Sequence, residues 1–393
     1  MMLRTRINEM VKSSCFSTPE GAEEFYLTCE TGETVSFEKA LIKLRGNYSL
    51  ALKKLGLSEE TLVFCRFFLG DIANQKDALK ASDIFGMVKK GAVSVIQQSP
   101  CTPDALVLLA YHVRVKNGSF HKSINNDNSD TWRTGVTAYG RHYSMIWTTN
   151  FSGTGPLDSK MQTAALFTSF AEYLESQNIK LRDNLVRTWI FVRDIDTYYQ
   201  GMVDARRKFF LSQGLTAQSR YVASTGIEGN AMDSGCLVSM DSLSFGGLIE
   251  KQILPMNALD NLPLTISYGV TFERGLRIKF GDRSHLYISG TASIDKAGKI
   301  MHSGDVENQT RRTLDNIEML LKNQGAALSD MAYMLCYVRN VKHFDYVNAI
   351  LKDRIPSNIP LVIVQGAVCR PGWLVEVEGV AIMPDKNQFP PFF

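Results

Sequence analysis

Two glutamates stand two residues apart in a run that is otherwise apolar, LVEVEGVAI at 374–382. Strand alternation puts Leu374, Glu376 and Glu378 on one side and Val375, Val377 and Gly379 on the other. Carboxylates on such a strand carry a desolvation cost unless their side opens to solvent or to a pocket. A carboxyl kept dry beside a second carboxylate holds its proton toward neutral pH and can act as a general acid. The plainer account is a solvated strand face.

Several other side chains could serve an acid of this kind. Arg274, in the motif FERG at 272–275, offers a guanidinium fork that matches a carboxylate, or else it is a strand-edge arginine. Arg187 interrupts the apolar run VRTWIFV at 186–192, so it must meet an anion, whether structural or a substrate. Arg206 and Arg207 lie on a predicted helix, and a solvated role is expected for at least one of them. Ser289 and Thr291, in SGTASI at 289–294, are candidates to hydrogen-bond a substrate or simply to satisfy the backbone. Cys369 is isolated in sequence, which favours a packed small hydrophobe over a nucleophile. Gly275 could be a turn glycine.

The elements that carry these residues recur along the chain. Residues 281–294 alternate and read as a strand, with a turn at 296–298 and a short strand at 299–302. Residues 305–323 form a helix with the stripe Leu314, Ile317, Leu320 and Leu321, stopped by Gly325. Strand 331–341, helix 343–353 and strands 361–368 and 374–382 complete a ββαβαββ unit, with two helices packed on one face of a sheet. Upstream, a helix over 162–181 and a strand over 186–192 repeat the grammar. FVRDI at 191–195 echoes YVRNV at 337–341, and LVSMDS at 237–242 echoes LVEVEG at 374–379. A fainter copy joins residues 52–72 to 321–341 and residues 93–111 to 362–379. Repeats of this length are whole domains in tandem, not solenoid units. In this alignment Leu108 and Ser239 hold the place of Glu376, so the carboxylate is not a requirement of the fold and marks a single site.

The expected division is an N-terminal extension at 1–24, a degenerate unit at 25–115 and a linker loop at 116–131. A second unit at 132–250, a linker at 251–264 and a C-terminal unit at 265–393 follow. Each linker is marked by its composition: Asn, Ser and Asp in the first, two prolines in the second.

Composition narrows the function classes. The chain has 393 residues and a formal net charge of +3, with no run of Lys and Arg longer than the three residues Arg206-Arg207-Lys208, so a clustered nucleic-acid face is not expected. Seven scattered cysteines without a CxxC and six histidines without ligand spacing give no disulfide framework and no metal site, and no cofactor is expected. Residues 1–14 carry charges without an apolar core, unlike a signal peptide, and no stretch has the length of a membrane span. A cytoplasmic protein with no membrane partner is expected.

From about residue 270, YISG at 287–290, QTRRTLDNI at 309–317, the Gly325 to Asp330 spacing and the closing LVEVEGVA together resemble the RidA/YjgF family. That resemblance implies a trimeric barrel with sites between subunits, which three tandem units would mimic as a monomer with internal pseudo-threefold symmetry. More specific pieces are FFLGDIANQ at 67–75, GAVSVIQQSP at 91–100, ASTGIEG at 223–229, FERG, SGTASI, HSGD at 302–305 and CRPGWLVEVEG at 369–379. These resemble the chorismatases of the same superfamily.

The resemblance implies a small anionic substrate, chorismate, with Glu376 as the catalytic acid and Cys369 in the pocket wall. Chorismate bears an enol ether and two carboxylates; cleavage begins with protonation of the enolpyruvyl methylene carbon and releases pyruvate. The pairing of Gly275 after Arg274 with Cys369 resembles the 3-hydroxybenzoate-forming type. Arg274, Arg187, Gly275, Cys369 and Thr291 are the substrate-contacting residues expected on this basis. Two alternatives are an enamine or imine deaminase of RidA type and a non-catalytic ligand-binding pseudo-trimer. The first lacks an anchor: the arginine that RidA deaminases place after the proline of the penultimate strand is replaced by Leu361-Val362-Ile363.

Overall fold

The computed structural model of the chain describes residues 2–102, 105–116, 120–125, 132–153, 155–263, 265 and 270–393. The first unit contains β1 (Met2–Asn8), β2 (Val11–Ser17), β3 (Ala22–Glu30), α1 (Phe37–Leu55), β4 (Leu62–Leu69), α2 (Ile72–Lys80), α3 (Asp83–Val88), β5 (Ala92–Gln97) and β6 (Val107–Val115). The second contains β7 (His121–Ile124), β8 (Thr134–Tyr139), β9 (Ser144–Ser152), α4 (Ser159–Ser176), α5 (Leu181–Asn184), β10 (Leu185–Val192), α6 (Ile195–Ser212), β11 (Ala223–Glu228) and β12 (Val238–Gly246). The third contains β13 (Ile253–Pro255), β14 (Gly275–Lys279), β15 (Arg283–Ala292), α7 (Val306–Lys322), β16 (Met331–Val338), α8 (Phe344–Arg354), β17 (Leu361–Gln365) and β18 (Val375–Pro384).

Each unit builds one six-stranded sheet, and all three sheets have the same topology. Three antiparallel strands come first, the unit's last strand inserts beside the third, and the fifth lies parallel to the fourth at the far edge. The architecture is thus α/β, with tandem RidA-like units and mixed sheets. Helix α7 shows how locally it is specified. The Asp305 side chain caps it by accepting from the Asn308 amide at 3.0 Å, its buried stripe runs through Leu314, Ile317, Leu320 and Leu321, and Gly325 turns the chain at φ 72°.

Several expectations are corrected. The stretches expected as extension and linkers supply strands of the sheets: the edge strand β1 and its neighbour β2 fall within 1–24, and the edge strands β7 and β13 fall within 116–131 and 251–264. The edge strands β1, β7 and β13 are short or polar and half exposed, so they carry little of the apolar signal that marks a buried strand. Residues 117–119, 126–131 and 264 lie outside the described residues. The short strand expected at 299–302 is a turn, in which Asp295 accepts from the Ala297 and Lys299 amides, and a single bridge joins Ile294 to Ile300. The order of the third unit is therefore βββαβαββ.

The three sheets meet around a shared aromatic centre. Tyr26 of β3 stacks on Tyr333 of β16 at 5.1 Å, and Trp147 of β9 stacks between Phe64 of β4 at 4.2 Å and Trp189 of β10 at 5.4 Å. Isolated bridges link the sheets in a ring: Pro100 to Val364, Val368 to Ile227, and Asn230 to Gln97. Three buried ion pairs do the same: Arg66 with Asp241 at 2.7 Å, Arg187 with Glu378 at 2.6 Å, and Arg283 with Glu24 at 2.5 Å. A charge removed from water needs such a partner, and each pair ties together two different units. No helix among the described residues is long and apolar enough to cross a membrane.

Candidate active site

The second and third sheets meet along an edge where β18 faces α6 and β11. Glu376 and Glu378 both point into this junction and both are buried, at 5% and 0% exposure. Glu378 is fully engaged. It accepts from Trp189 Nε1 at 2.6 Å, from Arg187 Nη2 at 2.6 Å and from the Thr225 hydroxyl. Glu376 Oε1 has no hydrogen-bond partner among the described residues. Burial, reinforced by the Glu378 charge, pushes the Glu376 carboxyl up to about 8, against the opposing pull of Arg187 and Arg274. Space for this carboxyl comes from the neighbouring strand: a Cβ on Gly290 would lie 2.8 Å from Glu376 Cδ and collide with its oxygen.

Glu376 closes one end of a cavity of about 280 Å3 whose walls include Tyr199, Phe272, Arg274, Cys369 and Trp373. A lobe of about 30 Å3 continues from it past Glu376 and Cys369 to Arg206 and Thr225. The walls come from two units, α6 of the second and strands and loops of the third. Arg274 is 4% exposed, donates from Nε to the Pro263 carbonyl at 3.3 Å and lies over the Phe272 ring. Burial pushes the Cys369 thiol up to about 12, and the Tyr199 phenol is raised by burial as well, so both stay protonated and the thiol is no nucleophile at neutral pH.

Glu376, Arg274 and Cys369 are therefore brought together, but three other candidates are not on the wall. Arg187 lies behind Glu376, with its charge met by Glu378 and Nη2 also donating to Thr225 at 2.6 Å; its anion is structural. Thr291 is opposite Val377, on the other face of the sheet from Glu376, and its hydroxyl donates to the Ser289 carbonyl at 2.9 Å. Ser289 donates in turn to the Glu273 carbonyl, so both hydroxyls serve the backbone. Gly275 also stays off the wall. A Cβ there would approach the Tyr287 carbonyl at 2.8 Å and the Met256 sulfur at 3.0 Å, so this glycine lets β14 lie close to β15 and sets where Arg274 stands.

Sequence reasoning gave no role to Tyr199, Phe272, Arg370 or Trp373, and underrated Arg206. Arg206 is 2% exposed. It donates to Thr271 Oγ1 at 3.2 Å and Ser224 Oγ at 3.4 Å, while Nη2 has no hydrogen-bond partner among the described residues. The signal was present in α6, where Ile195, Met202, Val203, Arg206 and Phe210 share the buried stripe. Arg207, the next residue, is half exposed and lines the main cavity.

Residues 278–383 match the family Endoribonuclease L-PSP. Over 236 residues, 56% of its length, the chain is 26% identical to chorismatase of Streptomyces hygroscopicus, spanning just under two thirds (66%) of that protein. A crystal structure of chorismatase superposes with a TM-score of 0.62 at 20% identity, covering 82% of this chain and 93% of the other. The chain is a chorismatase homologue. The chain is also 29% identical over 97 residues to 3-aminoacrylate deaminase RutC of Acinetobacter baylyi, covering 24% of this chain and 77% of that protein. The structural likeness to chorismatase thus covers most of the chain, whereas the sequence likeness to the deaminase covers about a quarter of it. In β17 the deaminase-type anchor position is held by Leu361, Val362 and Ile363, without a cation.

Proposed function

We propose that the chain cleaves the enolpyruvyl ether of chorismate with Glu376 as proton donor. The observation that carries this reading is a buried carboxyl oxygen without a hydrogen-bond partner among the described residues, in a cavity lined by arginines, with a proton affinity raised to about 8. Such a group is protonated at neutral pH and faces the substrate space, as protonation at carbon requires. Arg274 takes one substrate carboxylate, and Arg206, whose Nη2 is buried at the inner lobe, takes the other. Cys369 and Tyr199 shape the wall. Arg187 and Glu378 act as positioning residues, holding a negative charge behind the acid.

The steps balance without a cofactor. The Glu376 proton goes to the methylene carbon, leaving an oxocarbenium ion. The neighbouring ring hydroxyl then displaces the side chain: a ring C–O bond forms as the ether C–O bond breaks, pyruvate departs, and the hydroxyl proton returns to Glu376. The resulting arene oxide opens and loses a ring proton to give 3-hydroxybenzoate, with 4-hydroxybenzoate as a side product. Gly275 contributes by fixing the backbone of Arg274 rather than by leaving bare space in the cavity.

The test is to incubate the protein with chorismate, assay pyruvate and separate the aromatic products. Pyruvate with 3-hydroxybenzoate is expected, and Arg274→Ala should raise KM more than it lowers kcat. A non-aromatic diol would mean that water wins over the ring hydroxyl. No pyruvate from folded protein overturns the reading.

A further inference from the structure

The pseudo-threefold arrangement places a second cavity where the third unit meets the first. It measures about 230 Å3 and occupies the same relation to β6 and α8 that the acid-bearing cavity has to β18 and α6. The correspondence holds residue by residue. Cys101 follows the parallel edge strand β5 at the same distance as Cys369 follows β17. Lys352 lies as far beyond β16 as Arg206 lies beyond β10. Val107 sits opposite Phe68 in β4, as Glu376 sits opposite Tyr337 in β16.

The carboxylate is absent from that position but not from the cavity. Glu30 stands across from Val107 on β3, where Ala292 stands across from Glu376 on β15. The acid has moved one strand sideways. Burial raises its proton affinity, opposed by the charges of Lys12 and Lys352. Glu9, at the rim, lies 3.5 Å from Arg6. The remaining walls, including Pro100, Val107, Phe344, Leu361 and Ile363, are mostly apolar.

We propose that this cavity is a second ligand site, which binds a small carboxylate with a flat apolar body. The body lies between Phe344 and the β6 and β17 side chains, and the carboxylate meets the ammonium groups of Lys12 and Lys352. Without an acid at position 107 the site binds without cleaving. An aromatic carboxylate of the kind released in the proposed reaction has this shape and charge; that identification rests on the proposed function, whereas the cavity and its lysines do not.

Benzoate is a suitable probe. Calorimetric titration of the full chain should reveal two binding events. Lys12→Ala with Lys352→Ala should weaken one of them at least about tenfold, the usual scale for losing charge-assisted hydrogen bonds, and leave pyruvate release from chorismate unchanged. Arg274→Ala should weaken the other. A single event that Arg274→Ala removes and the lysine replacements leave intact overturns the second site, as does no binding of benzoate anywhere but in the acid-bearing cavity of crystals. Failure of the proposed reaction would be seen separately, as absence of pyruvate with the lysine-dependent event still present.

Discussion

Glu376 and Glu378 differ by two residues on one face of one strand, yet they have opposite surroundings. Glu378 is met by a guanidinium, an indole N–H and a hydroxyl, all from the second unit. Glu376 is met by a glycine that leaves room for it and by a cavity. A buried carboxylate surrounded by donors is a structural anion, whereas one buried without them keeps its proton. The pair teaches that burial alone does not make an acid. The donors must be withheld from one carboxyl and supplied to its neighbour, whose charge then adds to the raised proton affinity of the first.

The largest effect should come from the unpartnered member. Glu376→Gln keeps the shape but carries no acidic proton, and pyruvate release should fall at least about a hundredfold, the usual contribution of a general acid. The fold should survive, because no hydrogen bond to Oε1 from a described residue is lost. Stability should diverge with pH in a definite sense. Because the Glu376 carboxyl is raised from 4.5 to about 8 on folding, the wild-type protein loses stability as pH rises between those values. The amide does not titrate, so the variant should have the higher denaturation midpoint at pH 9. Near-normal turnover in folded variant would remove the difference between the two glutamates.

A smaller effect is expected from filling the space beside the acid. Gly290→Ala puts a methyl where the Glu376 carboxyl lies and forces it to turn. Turnover should fall about tenfold or more, in keeping with the cost of misplacing a reacting group. A variant crystal structure with an unmoved Glu376, or unchanged kcat, would show that the close approach is unimportant.

Much of this was legible in the sequence, and the failures have physical causes. Glu376 could be found because a carboxylate in an apolar strand is costly, and Arg187 because a buried cation needs an anion; which anion it meets depends on packing between units that no local pattern encodes. Thr291 failed on parity: it pairs with Val377 and so faces away from the acid. Parity also corrects the counterpart of Glu376 in the first unit from Leu108 to Val107. The loop between β5 and β6 is one residue shorter than that between β17 and the Glu376 position, and a slip of one residue in a strand exchanges its faces. Ser239, opposite Phe191, was aligned correctly. Arg206 was hidden beside Arg207 because a basic pair on a helix looks solvated until the buried stripe of α6 is traced.

The finest test of the comparison changes the other glutamate. Glu378→Gln retains a carbonyl oxygen to accept from Trp189 or Thr225 but removes the charge that answers Arg187. Breaking a buried pair in this way costs about 3–5 kcal/mol, so the variant must first be shown to be folded by its denaturant midpoint. The informative measurement is then the pH dependence of turnover. In the proposed reaction the wild-type acid must be protonated, so turnover should be level below about pH 8 and fall as pH rises through that value. Two causes shift the limb in the same direction in the variant. The repulsion that kept Glu376 protonated is gone, and Arg187, no longer neutralised, pulls on the Glu376 carboxylate. Both favour ionisation, so the alkaline limb should move down by about one unit or more. At pH 7.5 the variant should therefore be slowed by loss of the protonated form and recover on acidification. An unmoved limb would mean that desolvation alone sets the acid, and that Glu378 serves only to hold the second and third units together.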